Sequence, residues 1–217
     1  MTTFRFRGET LWRGPSAVLP ELHLELNPGE TVALLGPSGA GKTTLLEALR
    51  ARALHDTAWC PQEPALVPAL SVFHNIYMGA VERHGTLYNL LNLIHPTAHQ
   101  KRRVGELAGE LGLADKLRVS VDRLSGGQAQ RTALGRALYS ERPVLLADEP
   151  VSSLDEEQAA RLLRLALARH ETAVVALHHQ QQALNCFDRV IGLGEGRVLL
   201  DAPAPELDRQ DLAGLYQ

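Results

Sequence analysis

A lysine and a threonine at the end of a glycine-rich run are the residues with the clearest chemical meaning in this chain. Gly36-Pro37-Ser38-Gly39-Ala40-Gly41-Lys42-Thr43 fits G-x-x-x-x-G-K-[ST], the pattern of a loop that wraps phosphate groups. Glycines let the backbone curl round an anion with its N–H groups pointing inward, and the positive end of the following helix dipole adds to the field. Lys42 is then placed to reach the β- and γ-phosphates of a nucleotide. Thr43 offers a hydroxyl to Mg²⁺, which takes oxygen ligands in octahedral geometry and keeps several waters. The motif needs a strand before it and a helix after it. Thr31-Val32-Ala33-Leu34-Leu35 reads as a buried strand, and Thr44-Leu45-Leu46-Glu47-Ala48-Leu49 as the helix.

Two further constellations carry polar groups at strand or helix ends. Pro143-Val144-Leu145-Leu146-Ala147 is a buried strand that delivers Asp148 and Glu149 together. Carboxylates at the end of an apolar strand are costly unless paired or used. Asp148 is placed to hold the Mg²⁺ shell, and Glu149 to polarise a water attacking the γ-phosphate. Leu124-Ser125-Gly126-Gly127-Gln128 opens a helix through Leu138, and Ser125 with Gln128 makes an S-x-x-Q capping box. The same helix start leaves backbone N–H groups free, so Ser125 and Gly127 are also candidates for a second phosphate contact. Ser152-Ser153-Leu154-Asp155 leads into a helix, where Ser153 with Glu156 can be read as a cap. Thr172 to Leu177 is another buried strand and ends at His178-His179.

The elements that must position these groups can be followed along the chain. Thr3 to Arg7 and Glu21 to Leu26 alternate polar and apolar residues as half-exposed strands do, and Asn27-Pro28-Gly29-Glu30 is a turn. Trp12 falls between them, on a segment made irregular by Gly14 and Pro15, as either a packing residue or a stacking platform for a purine. Lys42 and Gln62 are only 20 positions apart, room for one helix and a short strand, His55 to Cys60, stopped by Pro61. Ser71 is a cap for Val72 to Met78. Leu87, Leu90, Leu91 and Ile94 recur at helical spacing and read as a core-facing stripe. Pro96 is expected to start a helix that leaves His95 outside it, so the His95/His99 spacing does not read as a metal pair. Lys101 to Lys116 is helical. Arg189 to Leu193 and Arg197 to Leu200 read as a closing hairpin, and the tail from Pro203 offers no chemistry.

Composition narrows the class. The chain has 217 residues, 45 % of them hydrophobic, which suits one sizeable α/β domain, here with a helical insert over about 71–135. A net charge of −3 gives no basic surface for nucleic acid. Cys60 and Cys186 are far apart and without metal-like spacing, which fits a reducing compartment. Met1 to Arg7 has no apolar segment of the signal-peptide kind, and no apolar run approaches a bilayer span, so a membrane role is expected to be peripheral.

Leu124 to Gln128 resembles, position for position, the signature motif of the ATP-binding-cassette ATPases, and the other motifs follow in that family's order over the whole chain. The resemblance implies a P-loop NTPase fold, with a RecA-like parallel sheet, an antiparallel β edge and a helical subdomain. It implies ATP and Mg²⁺ as ligands, with Gly36 to Thr44 cradling the phosphates and Trp12 stacking on adenine. Gln62 would sense the γ-phosphate beside the metal, Asp148 would complete the metal shell, Glu149 would serve as catalytic base and His178, not His179, as the switch histidine. It also implies a dimer in which Ser125, Gly127 and Gln128 of one copy close on the ATP of the other and Asp155 bridges the two. Partners follow from the same source: transmembrane permease subunits received near Glu63 to Met78, and a periplasmic or lipoprotein solute-binding protein reached indirectly, at the cytoplasmic face of the inner membrane. The chain departs from the family in its short connection from phosphate loop to Gln62, which puts the β edge in question. Leu177 to Leu184, Asp211 to Tyr216 and the insert from Gly79 to Pro96 look like the phosphonate-importer ATPases. Other outcomes to weigh are a cassette for a different solute, a non-transport cassette ATPase, and a module that binds ATP without hydrolysing it. The last is disfavoured by Glu149 and His178.

Overall fold

The computed structural model describes residues 4–216, so Thr3, expected to open the first strand, lies outside the described residues. Two antiparallel strands come first, β1 (Phe4–Arg13) and β2 (Ser16–Leu26), forming a separate two-stranded ribbon. Trp12 is therefore within β1, opposite Ala17, in a stretch whose pairing with β2 shifts register between Arg7 and Glu9, Glu9 and Leu11, and Leu11 and Trp12. The chain continues through β3 (Thr31–Leu35), α1 (Lys42–Arg52) and β4 (Thr57–Cys60), with no further strand between α1 and β4. Helices α2 (Val72–Tyr77), α3 (Thr86–Ile94), α4 (Ala98–Glu110) and α5 (Gly126–Tyr139) form the insert. The core resumes with β5 (Val144–Asp148), α6 (Glu156–Leu167), β6 (Thr172–Ala176), α7 (Gln180–Cys186), β7 (Arg189–Gly194) and β8 (Arg197–Pro203), and α8 (Arg209–Ala213) follows. The insert boundary expected at 135 falls inside α5, which runs to Tyr139.

The main sheet has the order β4-β5-β6-β3-β7-β8, parallel except for β8, which pairs antiparallel with β7 as the closing hairpin. Side chains alternate across a strand, so Val32 and Leu34 face one layer while Ala33 and Leu35 face the other. Helices α2 and α4 to α7 supply the cluster on the second face. On the first, α1 and the β1–β2 ribbon, with Phe4, Phe6, Leu22 and Leu24, supply the other. Both faces are covered, and the core strands are continuous apolar runs for that reason.

The topology fixes where chemistry can occur. Leu34 and Asp148 both pair with Ala176, from opposite sides of β6. The carboxyl ends of β3, β6 and β5 therefore lie side by side, and the loops leaving them share one crevice. Cys60 of β4 pairs with Ala147, which brings the segment entering Gln62 to the same edge.

The insert corrects several expectations. Leu87, Leu90, Leu91 and Ile94 do not face the core; Leu87 and Ile94 are 72 % and 71 % exposed. The inward face of α3 is polar instead. Asn92 is fully buried, donates to the Tyr88 carbonyl at 2.9 Å and accepts the Thr97 N–H at 2.9 Å, while Asn89 accepts the Tyr77 hydroxyl at 2.8 Å. Buried polar groups persist where every bond is made, and here the amides fill the place a leucine stripe would take. Pro96 does not open α4; Thr97 caps it and Ala98 is its first residue. The helix ends at Glu110, short of Lys116, after which residues 114–116 form a short 3₁₀ turn. The β4 strand begins at Thr57 rather than His55.

Candidate functional site

The phosphate-type loop is built by close backbone contacts. Gly36 has φ 140°, and a Cβ there would sit 2.0 Å from the Leu193 carbonyl oxygen of β7, so the loop leaves β3 along a path only glycine permits. The Ala40 N–H bonds the Pro37 carbonyl at 3.2 Å, and α1 starts at Lys42. Lys42 is 7 % exposed, and its Nζ donates to the Gly36 and Pro37 carbonyls at 2.6 and 3.1 Å. Burial pushes its pKa down, while the nearby Glu149 and Asp148 carboxylates act to raise it. A buried ammonium held by carbonyls of its own loop is ready to exchange them for phosphate oxygens.

Thr43 Oγ1 donates to Asp148 Oδ2 at 2.6 Å, joining the loop after β3 to the end of β5. Glu149 follows in a left-handed conformation (φ 51°), with its N–H bonded to the Ala176 carbonyl at 3.1 Å. His178 Nε2 contacts Glu149 Oε1 at 2.5 Å. A cavity of about 340 Å³ is lined by Ser38, Gly39, Ala40, Gly41, Lys42, Thr43, Thr44, Gln62 and Glu149, together with Arg13 and Val18. Thus Lys42, Thr43, Gln62 and Glu149 share one cavity, and Asp148 and His178 are attached to it by direct bonds. The hydroxyl of Thr43, the carboxylate of Asp148 and the amide oxygen of Gln62 form an all-oxygen donor set, which suits Mg²⁺ completed by phosphate and water. No group of three or more His, Cys, Asp or Glu residues that could hold a metal ion occurs among the described residues.

A second set lies apart from this cavity. Ser125, Gly127, Gln128, Asp155 and Trp12 do not line it. The capping box is formed: Ser125 Oγ accepts the Gln128 N–H at 3.3 Å, and Gln128 Oε1 accepts the Ser125 N–H at 3.0 Å. Asp155, not Ser153, caps α6 by accepting the Gln158 N–H at 2.8 Å. Trp12 is 60 % exposed, and its neighbour Arg13 is the residue of β1 that reaches the cavity wall.

Three residues were not anticipated. Arg13 adds a cation to the cavity, and no motif marks it. Tyr216, in the tail, accepts the Gly36 N–H on its hydroxyl at 3.4 Å, 180 positions away in sequence. Gln130 is buried behind Glu149 and bonds its carbonyl at 2.6 Å. Gln130 was findable: it is the polar member of the buried i, i+3, i+4, i+7 stripe completed by Ala133, Leu134 and Ala137.

The family model described as ABC transporter matches residues 19–56 and 50–152. The chain is 38 % identical to the phosphonates import ATP-binding protein PhnC of Pseudomonas putida over 96 % of its own length and 88 % of that protein's. It is also 38 % identical to phosphonates import ATP-binding protein PhnC 1 of Natronomonas pharaonis, over 96 % and 97 % of the two chains. Among solved structures, the dimeric post-hydrolysis state of the ATP-binding cassette MJ0796 bound to ADP and Pi superposes with TM-score 0.77 at 23 % identity, covering 94 % of this chain and 99 % of that one. A nucleotide-free ATP-binding cassette from an ABC transporter superposes with TM-score 0.74 at 18 % identity, over 97 % and 93 %.

Proposed function

The chain belongs to the ABC transporter family, and from that premise we propose that it is the ATP-hydrolysing subunit of an importer whose cargo is a phosphonate or a related phosphorus oxyanion. The observation that carries the motor half of this reading is the single cavity that unites Lys42, Thr43, Gln62 and Glu149, with Asp148 and His178 bonded to its edge. The cargo half rests on the PhnC relatives, which are named as phosphonate import ATP-binding proteins.

In this reading the N–H groups of the loop and the ammonium of Lys42 hold the phosphates, leaving the carbonyls of Gly36 and Pro37. Mg²⁺, when bound through Thr43, Asp148 and Gln62, offsets charge on the β- and γ-phosphates. Glu149 orients and deprotonates the attacking water, and His178 turns from the carboxylate it now contacts toward the γ-phosphate. Because Ser125, Gly127, Gln128 and Asp155 stand outside the cavity of their own chain, they act on the nucleotide of a second copy. Two ATP molecules are then enclosed per dimer. The surface from Glu63 to Met78 receives a transmembrane permease, and a solute-binding protein acts through that permease. In this reading the permease is a separate chain; no helix of the described residues is long and apolar enough to cross a membrane.

Trp12 completes the site by stacking on adenine, one residue along from the cavity-lining Arg13. Trp12→Ala is expected to raise the KM for ATP about 5- to 150-fold, since loss of one aromatic–base stack costs about 1–3 kcal/mol. The melting temperature should barely move, because so exposed a ring contributes little packing. An unchanged KM, or a lower melting temperature with normal kinetics, would return Trp12 to a packing role.

The reading as a whole is tested in vesicles that contain this chain, its permease and its solute-binding protein. Hydrolysis is expected to rise when the binding protein is loaded with a phosphonate or a related oxyanion. Stimulation by an amino acid, a sugar or a metal-loaded binding protein instead would overturn the cargo and leave the motor standing; absence of any ATP hydrolysis would overturn both.

A further inference from the structure

Gln130 lies in α5, two residues after the capping glutamine Gln128, and is 5 % exposed. Its side chain makes three bonds, all to the segment that follows β5. Nε2 donates to the Glu149 carbonyl at 2.6 Å and to Ser152 Oγ at 2.9 Å, and Oε1 accepts the Ser153 N–H at 3.0 Å. The contact extends along the helix start: a Cβ on Gly127 would meet Leu154 Cδ2 at 3.2 Å and the Ser153 carbonyl at 3.3 Å. The first turn of α5 and the turn from Glu149 to Leu154 are therefore packed as one piece.

That turn needs outside support. Glu149 holds a left-handed backbone (φ 51°), a region that side-chain-bearing residues keep only where the surroundings impose it. The peptides on both sides of its Cα are pinned, the first by the Ala176 carbonyl of β6, which accepts the Glu149 N–H, and the second by Gln130, which donates to the Glu149 carbonyl. Asparagine would be one methylene too short to span this gap. Glutamate would present an acceptor to an acceptor.

We infer that Gln130 is a positioning residue for hydrolysis: from the helix that begins with Ser125 it sets the backbone of Glu149 and thereby the carboxylate of its own chain. The inference rests on the reading of Glu149 as the catalytic base and of Ser125 as a contact to the partner's nucleotide. In the dimer it has a consequence for cooperation. The start of α5 touches one ATP while Glu149 of the same chain serves the other, so Gln130 is a direct mechanical link between the two sites.

Gln130→Met keeps length and packing while removing donor and acceptor. ATP affinity of the intact protein is expected to stay within about twofold. Single-turnover hydrolysis should slow about tenfold or more, since an ångström-scale misplacement of a reacting group costs on the order of 10²-fold. The decisive readout is non-additivity: in a Glu149→Gln background the further loss from Gln130→Met should shrink to less than about twofold, because groups acting as a unit do not add. Equal losses in both backgrounds, or a Gln130→Met rate within about twofold of the original, would overturn the inference. If Gln130→Met does not fold, Gln130→Glu, which keeps the shape and the acceptor for Ser153, is read by the same criteria. A fully active Glu149→Gln would refute the reading of Glu149 itself, and it is recognised without any change at Gln130.

Discussion

Glu149→Gln is expected to bind ATP normally and to lose nearly all turnover. Removing a positioned general base slows a reaction by about 10²- to 10⁴-fold, which is about 3–5 kcal/mol of barrier. The amide keeps the shape of the carboxylate and the left-handed backbone, and it can still meet His178, so folding and nucleotide capture should be spared. The variant should therefore accumulate as an ATP-bound closed dimer, visible by size-exclusion chromatography with ATP and Mg²⁺. Steady-state hydrolysis near the wild-type rate would remove Glu149 from its role.

Lys42→Ala is expected to fail one step earlier, at binding. The Lys42 ammonium is almost fully buried, and among the described residues the Gly36 and Pro37 carbonyls hold it. Burial lowers its pKa, so the charge is kept there against a desolvation cost. Hydrogen bonds to charged partners contribute about 1.5–3 kcal/mol, so loss of the phosphate contact should weaken ATP binding about 10- to 150-fold. Calorimetric titration with ATP and Mg²⁺ measures this directly, and unchanged affinity would mean that Lys42 is structural.

These two residues were readable for different reasons. The phosphate loop is local: its conformation and its donors come from adjacent residues, and the sequence pattern is itself the physical requirement. Asp148 meets Thr43 across 105 positions, yet the meeting follows once β3, β5 and β6 are recognised as parallel neighbours. Periodicity failed at α3 because it reveals that a helix has two faces without saying which is turned inward. There the buried side is an amide network centred on Asn89 and Asn92, and the leucines face out. Tyr216 against Gly36 was beyond reach, since nothing local marks a tail tyrosine as a support for a loop 180 positions earlier. The short link from α1 to β4 was legible from spacing alone: it holds no further strand.

The central claim is that each ATP site is shared between two chains, with the cavity from one and Ser125 from the other. Mixing Lys42→Ala chains with Ser125→Arg chains and measuring hydrolysis tests it most directly. At an ATP concentration that fills only intact sites, each variant alone is expected to be nearly inactive, the first because its loop holds phosphate about 10- to 150-fold more weakly and the second because a bulky cation replaces the cap at the start of α5. A mixed dimer has one site with Lys42 and Ser125 both intact, so random pairing should restore up to about a quarter of the wild-type rate. Activity that stays at the level of the separate variants after mixing, or a Ser125→Arg homodimer that hydrolyses ATP at full rate, would contradict the shared site and leave Ser125 as a helix cap alone.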